Sequence, residues 1–158
     1  MASATERVIA RYKSMTHHKA GMADQWNASP ERAEAILAHA KGDNPMCGDS
    51  LDVFLVFAPN DRGEMTVGQG WFEGYGCSLC MASADLAIEL ATGMTPQEVV
   101  SLTLDDLDRA WGGLDVPRSR VRCMDLCLRA ARKAVEGAGF GAEEPFVQDR
   151  RLSSSFAE

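Results

Sequence analysis

Five thiols and one carboxylate carry most of the chemistry open to this chain. All five cysteines fall in three short stretches: Asn44-Pro45-Met46-Cys47-Gly48-Asp49, Gly74-Tyr75-Gly76-Cys77-Ser78-Leu79-Cys80 and Val121-Arg122-Cys123-Met124-Asp125-Leu126-Cys127. The number is odd, and the spacing is not that of a small secreted disulfide scaffold. Such clusters point to metal binding or sulfur chemistry. Cys47 sits in a proline- and glycine-bounded turn, with Asp49 two residues on and close enough to share an ion. Three thiolates from Cys47, Cys77 and Cys123 with the Asp49 carboxylate make a four-ligand set fit for zinc or for an iron–sulfur cluster. Four thiolates would close a site. An aspartate oxygen holds a soft centre more weakly and leaves one labile position, which a site that releases its contents needs.

Cys80 and Cys127 read differently. Each follows a candidate ligand by one helical turn, and each lies in an alanine-rich stretch where a small buried residue is expected. Packing is the plain reading for both, with spare ligand or relay thiol as the sharper one. Arg122 precedes Cys123 and is expected to hold that thiol's pKa down, if it is more than a surface charge. The pair His17-His18 has no ligand-spaced cysteine or carboxylate near it and reads as exposed loop.

The elements that would position these groups follow from periodicity and punctuation. Residues 5–16 fit a short helix with Val8, Ile9 and Tyr12 on one side. Ser29-Pro30 is a helix start, which predicts a helix to about Lys41 burying Ala33, Ile36, Leu37 and Ala40. Leu51–Phe57 is β-branched, aromatic and apolar, a strand; Glu64–Glu73 gives one or two more, with Gly68 and Gly70 marking a bend or bulge. Strands joined by so short a turn pair antiparallel, which sets Cys47 beside Cys77 despite their separation in sequence. A helix starts near Cys77 or Ser78 and closes at Gly93; Thr95-Pro96-Gln97-Glu98 is a capping box opening the next. A short helix spans Leu104 to Trp111, and after a loop the last runs from Cys123 to Glu136. The three candidate ligand thiols would then all stand at element ends, where helix N-termini favour thiolate.

This order predicts an α+β fold, a small antiparallel sheet with helices packed on one face. Residues 1–140 are expected to form a single domain and 141–158 a mobile, serine-containing tail. The 158 residues carry a net charge of −7, which argues against a nucleic-acid partner. No apolar run reaches the length needed to span a bilayer, so no membrane association is expected. Without an apolar N-terminal segment, the expected location is cytoplasmic.

The three motifs, in order and over residues 44–136, resemble the U-type iron–sulfur cluster assembly scaffolds: IscU, SufU and the N-terminal domain of NifU. Ala82-Ser83 after Cys77 belongs to the same pattern. The resemblance implies a site of Cys47, Asp49, Cys77 and Cys123 that takes sulfur as a persulfide from a cysteine desulfurase. Cys123 and Cys47 are the candidate persulfide acceptors. It implies a [2Fe–2S] cluster built there and passed to apo iron–sulfur proteins or carriers, or else bound Zn2+ with relay of the sulfur. A scaffold or carrier is then the first reading, and a sulfurtransferase-type acceptor that activates the desulfurase is the second. A purely structural zinc domain is the third, and Asp49 counts against it.

The chain also departs from the pattern. Arg122 stands where the IscU branch has histidine, nearer to the SufU habit, yet the stretch from Cys77 to Cys123 is too short for the segment typical of SufU. Val116-Pro117-Arg118-Ser119-Arg120 replaces the chaperone-binding motif of IscU, which counts against handling by an Hsp70-type chaperone.

Overall fold

The computed structural model describes residues 2–27 and 33–140. In chain order the elements are α1 (Ala4–Lys13), α2 (Met22–Asn27), β1 (Ile36–Asn44), β2 (Asp49–Pro59), β3 (Met65–Tyr75), α3 (Ser78–Ala91), α4 (Pro96–Val100), α5 (Leu104–Trp111), α6 (Val121–Met124) and α7 (Leu126–Gly137). A 3-10 turn, Arg118–Arg120, leads into α6. The three strands form one antiparallel sheet in the order β1-β2-β3. The expected tail at 141–158 and the helix start at Ser29-Pro30 lie outside the described residues.

The sheet is built around β2. Leu51, Val53, Leu55 and Phe57 alternate along it toward the helices, where they meet buried residues of α3 and α7 in the main core. Phe54 and Val56 point the other way and pack with Trp71 and Trp26 in a second, smaller cluster under α2. Most helices thus lie on one face, and among the described residues the short α2 is the helix that covers the other. The bulge falls at Gly68: Val56 pairs with Gln69 and Phe57 with Val67, leaving the glycine unpaired. At Gly70 the sheet and α3 are too close for a side chain, since an added Cβ would stand 3.0 Å from Leu55 Cδ2 and 3.1 Å from Ile88 Cγ2.

The stretch expected to be helical up to Lys41 is instead β1, paired with β2 over its whole length from Ile36–Phe57 to Asn44–Asp49. The reason is tertiary. Small residues at alternate positions, Ala38, Ala40 and Gly42, form a shallow face on which α7 lies, and at Gly42 an added Cβ would come within 3.1 Å of Leu126. Strand pairing together with this close packing outweighs alanine's helix propensity, which is a weak local preference. Lys133 of α7 reaches past the sheet and donates to the Lys41 carbonyl at 3.1 Å.

Other elements match their sequence signals. Thr95 and Thr103 close capping boxes with Glu98 and Asp106, and Pro96 occupies the first turn of α4. The last helix differs: it breaks at Asp125 into the one-turn α6 and the longer α7. In α1 only Val8 is buried; Ile9 and Tyr12 are exposed, because the helix is turned to bring Arg11 onto α3. There Asp85, itself buried, accepts from Arg11 Nη1 at 2.7 Å and from the backbone N–H groups of Thr16 and His17 at 2.9 and 2.7 Å. His17 and His18 do lie in the connection after α1, with His18 exposed as expected, but that connection is tied to the sheet. His18 bridges to Phe72 at the edge of β3 and stacks on its ring, and burial pushes the His17 imidazole below its usual range.

Candidate metal and sulfur site

The β1–β2 hairpin places the first two groups. Asn44 and Asp49 are cross-strand partners, so Cys47 rides in the loop between them, its N–H bonded to the Asn44 carbonyl at 3.1 Å, and is exposed. Asp49 begins β2 and is 2% exposed. Ser50 pairs with Tyr75, which brings the end of β3 alongside, and the Asp49 Oδ1 accepts from the Cys77 backbone N–H at 3.0 Å. Its other oxygen accepts from Asn44 Nδ2 at 3.4 Å. Gly76 is what lets these groups meet, since a Cβ there would stand 2.8 Å from Asp49 Oδ1 and 3.0 Å from Cys80 Sγ.

Cys123 comes from α6 and meets Cys47 at 3.4 Å between sulfurs, while Asn44 Nδ2 lies 3.7 Å from its Sγ. One donor atom each from Cys47, Asp49 and Cys123 falls within 4.8 Å of the others. Ligands held about 2.0–2.3 Å from a tetrahedral ion stand roughly 3.3–3.8 Å apart, so this trio fits a thiolate-rich metal site. Cys77 stands outside that compact trio. It is the N-cap of α3, half-buried, and its Sγ accepts from the Cys80 N–H at 3.4 Å and from Arg120 Nη2 at 3.0 Å.

Two expectations are corrected here. The first concerns Cys123, which does not sit at an open helix end: it is 1% exposed, and its thiol is pushed up to about 12. Burial is the main cause, reinforced by the Cys47 and Asp49 contacts and opposed by Arg120. The second concerns Arg122, which is exposed and gives its carbonyl to Arg129. Arg120, two residues earlier, is the guanidinium at the site; its hydrogen bonds to the Cys123 and Cys77 thiols raise its own pKa further. The sequence signal was present in the spacing Arg118-Ser119-Arg120-Val121-Arg122, but only the 3-10 turn decides which arginine faces the sulfurs.

Cys80 and Cys127 are both buried in the core, as their alanine-rich surroundings imply. Burial pushes the Cys127 thiol up to about 12, and burial with the nearby Asp49 charge pushes Cys80 up as well. Cys127 Sγ lies 3.8 Å from the Ala84 carbonyl. Among the described residues, no helix is long and apolar enough to cross a membrane.

Because metal binding must displace thiol protons, loading should strengthen as pH rises. Arg120 is the group that eases the loss of the Cys123 proton. Replacing it by alanine should shift the pH curve of zinc loading upward and weaken zinc at pH 7 by about tenfold, the lower end for a group that orients ligands. Competition against a chromophoric chelator across pH reads both effects.

The site and fold define a class. Residues 4–138 match the family model described as the NifU-like N terminal domain, and the chain belongs to that family. Two curated relatives, the iron–sulfur cluster assembly scaffold proteins IscU 1 and IscU 2 of Archaeoglobus fulgidus, are each 30% identical over 92 residues, covering 58% of this chain and 56% of theirs. The chain thus spans little more than half the length of the curated relatives it matches. Among solved structures, a candidate iron–sulfur cluster assembly scaffold protein for the SUF system from Fervidobacterium islandicum superposes with a TM-score of 0.54 at 19% identity, over 82% of this chain and 94% of that one. The N-terminal part of a nitrogen-fixing NifU-like protein from Brucella abortus gives 0.51 at 16% identity, over 83% and 90%. At these identities the structures establish a shared fold, in accord with the α+β sheet-and-helix architecture expected from the sequence.

Proposed function

We propose that the chain is an iron–sulfur cluster assembly scaffold, which accepts sulfur from a cysteine desulfurase, holds a [2Fe–2S] cluster as cargo and passes it to apo recipients. The observation that carries this reading is the buried Asp49 carboxylate grouped with the Cys47 and Cys123 thiols and bonded to the Cys77 N–H, with Cys47 open to solvent. Cys47, Cys77 and Cys123 would supply thiolates, and Asp49 the weaker oxygen ligand. Asn44 and the Cys77 N–H orient that carboxylate, and Arg120 offsets the negative charge that builds up as the thiols lose protons. Cys47, exposed in its hairpin loop, and Cys123 beside it are the sulfurs that would first receive the persulfide.

A second reading has its own support. The compact trio of donors suits a single tetrahedral ion as well as it suits a cluster, which favours a zinc-bound sulfur acceptor that activates the desulfurase. Anaerobic reconstitution with iron, cysteine and a desulfurase separates the two. A stoichiometric [2Fe–2S] absorption spectrum supports the scaffold. Zinc that iron does not displace, with desulfurase turnover rising on addition of the chain, moves the assignment to the sulfur acceptor.

Changing Asp49 to cysteine tests the labile position. It completes a four-thiolate shell, and transfer of the reconstituted cluster to an apo-ferredoxin should slow by on the order of tenfold, ~1.4 kcal/mol in barrier. Transfer at the wild-type rate would remove Asp49 from the release step.

A further inference from the structure

Cys77 and Cys80 are more than neighbours of a metal site. Cys77 caps α3, a helix of 14 residues, and Cys80 lies one turn on, so the pair forms a C-x-x-C motif at a helix N-terminus. Cys77 is half-buried and reachable, while Cys80 is 1% exposed beneath it. The Cys80 N–H points at the Cys77 sulfur at 3.4 Å, and Arg120 holds that same sulfur from the other side at 3.0 Å. This is the arrangement of a redox dithiol: an outer sulfur at a helix N-terminus beside a guanidinium, and an inner sulfur shielded from solvent. Cys77 is the extended N-cap and not part of the helix, and closing a disulfide to Cys80 requires the two Cβ atoms to approach to about 3.5–4.5 Å.

We propose that Cys77 and Cys80 form a redox dithiol that releases sulfide from a persulfide carried on Cys77. The inference rests on the sulfur-accepting reading above, in which Cys47 or Cys123 receives the sulfur first and passes it to the Cys77 thiol by persulfide exchange, and it supplies a step that reading lacks. Sulfur delivered as persulfide is sulfane sulfur, whereas a cluster contains sulfide, so two electrons must be found. The thiol of Cys80 attacks the Cys77 Sγ, and the persulfide S–S bond breaks. The outer sulfur leaves with that bond's electron pair and, with the proton of the Cys77 persulfide and that of Cys80, departs as hydrogen sulfide. A Cys77–Cys80 disulfide remains. One sulfane sulfur is reduced to sulfide while two thiols are oxidised to one disulfide, so atoms and electrons balance. An external dithiol reductant then restores the pair, and Cys77 becomes free to serve as a ligand only after that. The step thus orders the cycle: sulfide first, reduction next, cargo binding last.

The test uses the metal-free full chain under anaerobic conditions, with a chelator and glutathione persulfide as sulfur donor, so that no desulfurase is needed. Free sulfide is measured, and disulfides and residual persulfides are mapped by peptide mass. The wild-type chain should release about one sulfide per chain above the donor background and acquire a Cys77–Cys80 disulfide. Both Cys80→Ala and Cys80→Ser should release roughly tenfold less and retain the extra sulfur on Cys77, the two variants guarding against a folding defect particular to one. Sulfide release from both variants at the wild-type level would overturn the proposal. So would a wild-type disulfide joining Cys47 to Cys123, the other close pair, or a failure of sulfur to reach Cys77. Iron and zinc loading of the same wild-type preparation is measured separately. A chain that loads neither metal but still releases sulfide through Cys80 would sink the scaffold reading and leave the dithiol standing.

Discussion

A chain with Cys123 replaced by serine should lose its metal or cluster altogether under conditions where the wild type loads stoichiometrically. Cys123 belongs to the only group of candidate donors found within 4.8 Å of one another among the described residues, and its sulfur touches that of Cys47. Changes to groups that merely orient ligands weaken metals about 10–100-fold, so loss of a ligand from the compact trio should exceed about 100-fold. The fold should survive, because serine is smaller and the pocket it enters already holds Asn44 Nδ2 as a hydrogen-bond donor. Absorbance and metal content after anaerobic reconstitution, together with an unchanged circular dichroism spectrum, check both halves. Retention of a wild-type spectrum by Cys123→Ser would take this residue out of the ligand set.

The largest effect on stability should come from a residue far from the sulfurs. Asp85 lies buried on α3 and satisfies three donors: the Arg11 guanidinium and the N–H groups of Thr16 and His17. Asp85→Ala leaves two backbone donors unpaired and Arg11 without its buried partner. Breaking a buried ion pair costs about 3–5 kcal/mol, and the lower end applies because the Arg11 side chain is 24% exposed and can recover some hydration. For a domain of this size about 3 kcal/mol lowers the melting temperature by on the order of 10 °C. Asp85→Asn keeps an oxygen for the two N–H groups and loses only the charge, so it should cost roughly half as much. Thermal melts of the two variants test this ranking. Equal melting temperatures for Asp85→Ala and wild type would mean that the three bonds to Asp85 contribute nothing to stability.

The site was legible in the sequence to the extent that turns and strand ends announce themselves. Cys47 and Asp49 sit between a Pro and the start of an apolar strand, and two strands joined by a tight turn bring Cys77 to Asp49 whatever the helices do. That turn sets the expectation that Cys47 and Cys77 stand side by side; the structure instead joins the Cys77 N–H to Asp49 and leaves the Cys77 sulfur outside the Cys47–Asp49–Cys123 trio. What could not be read was orientation. Three arginines spaced two residues apart all precede Cys123, and a single 3-10 turn aims Arg120, not Arg122, at the thiols. Nor could the break at Asp125 be read, which makes α6, with the buried Cys123, a turn separate from α7. The strand β1 was hidden for a different reason. The alanines look like helix filler and Gly42 like a helix stop until one knows that α7 lies close against Ala38, Ala40 and Gly42. Asp85 gave no signal at all, since one acid in an apolar helix has no partner visible in sequence.

The lysine that reaches the Lys41 carbonyl has a consequence for how copies of this chain behave together. β1 is an outer strand, and an outer strand with free backbone groups is a template on which another molecule can add its own strand. Lys133 occupies one such carbonyl and places an ammonium at that edge, with Lys41 itself exposed beside it. A second copy pairing there would have to displace that bond and bring charge against charge. Strand addition at the β1 edge should therefore be disfavoured even in concentrated solutions of the chain.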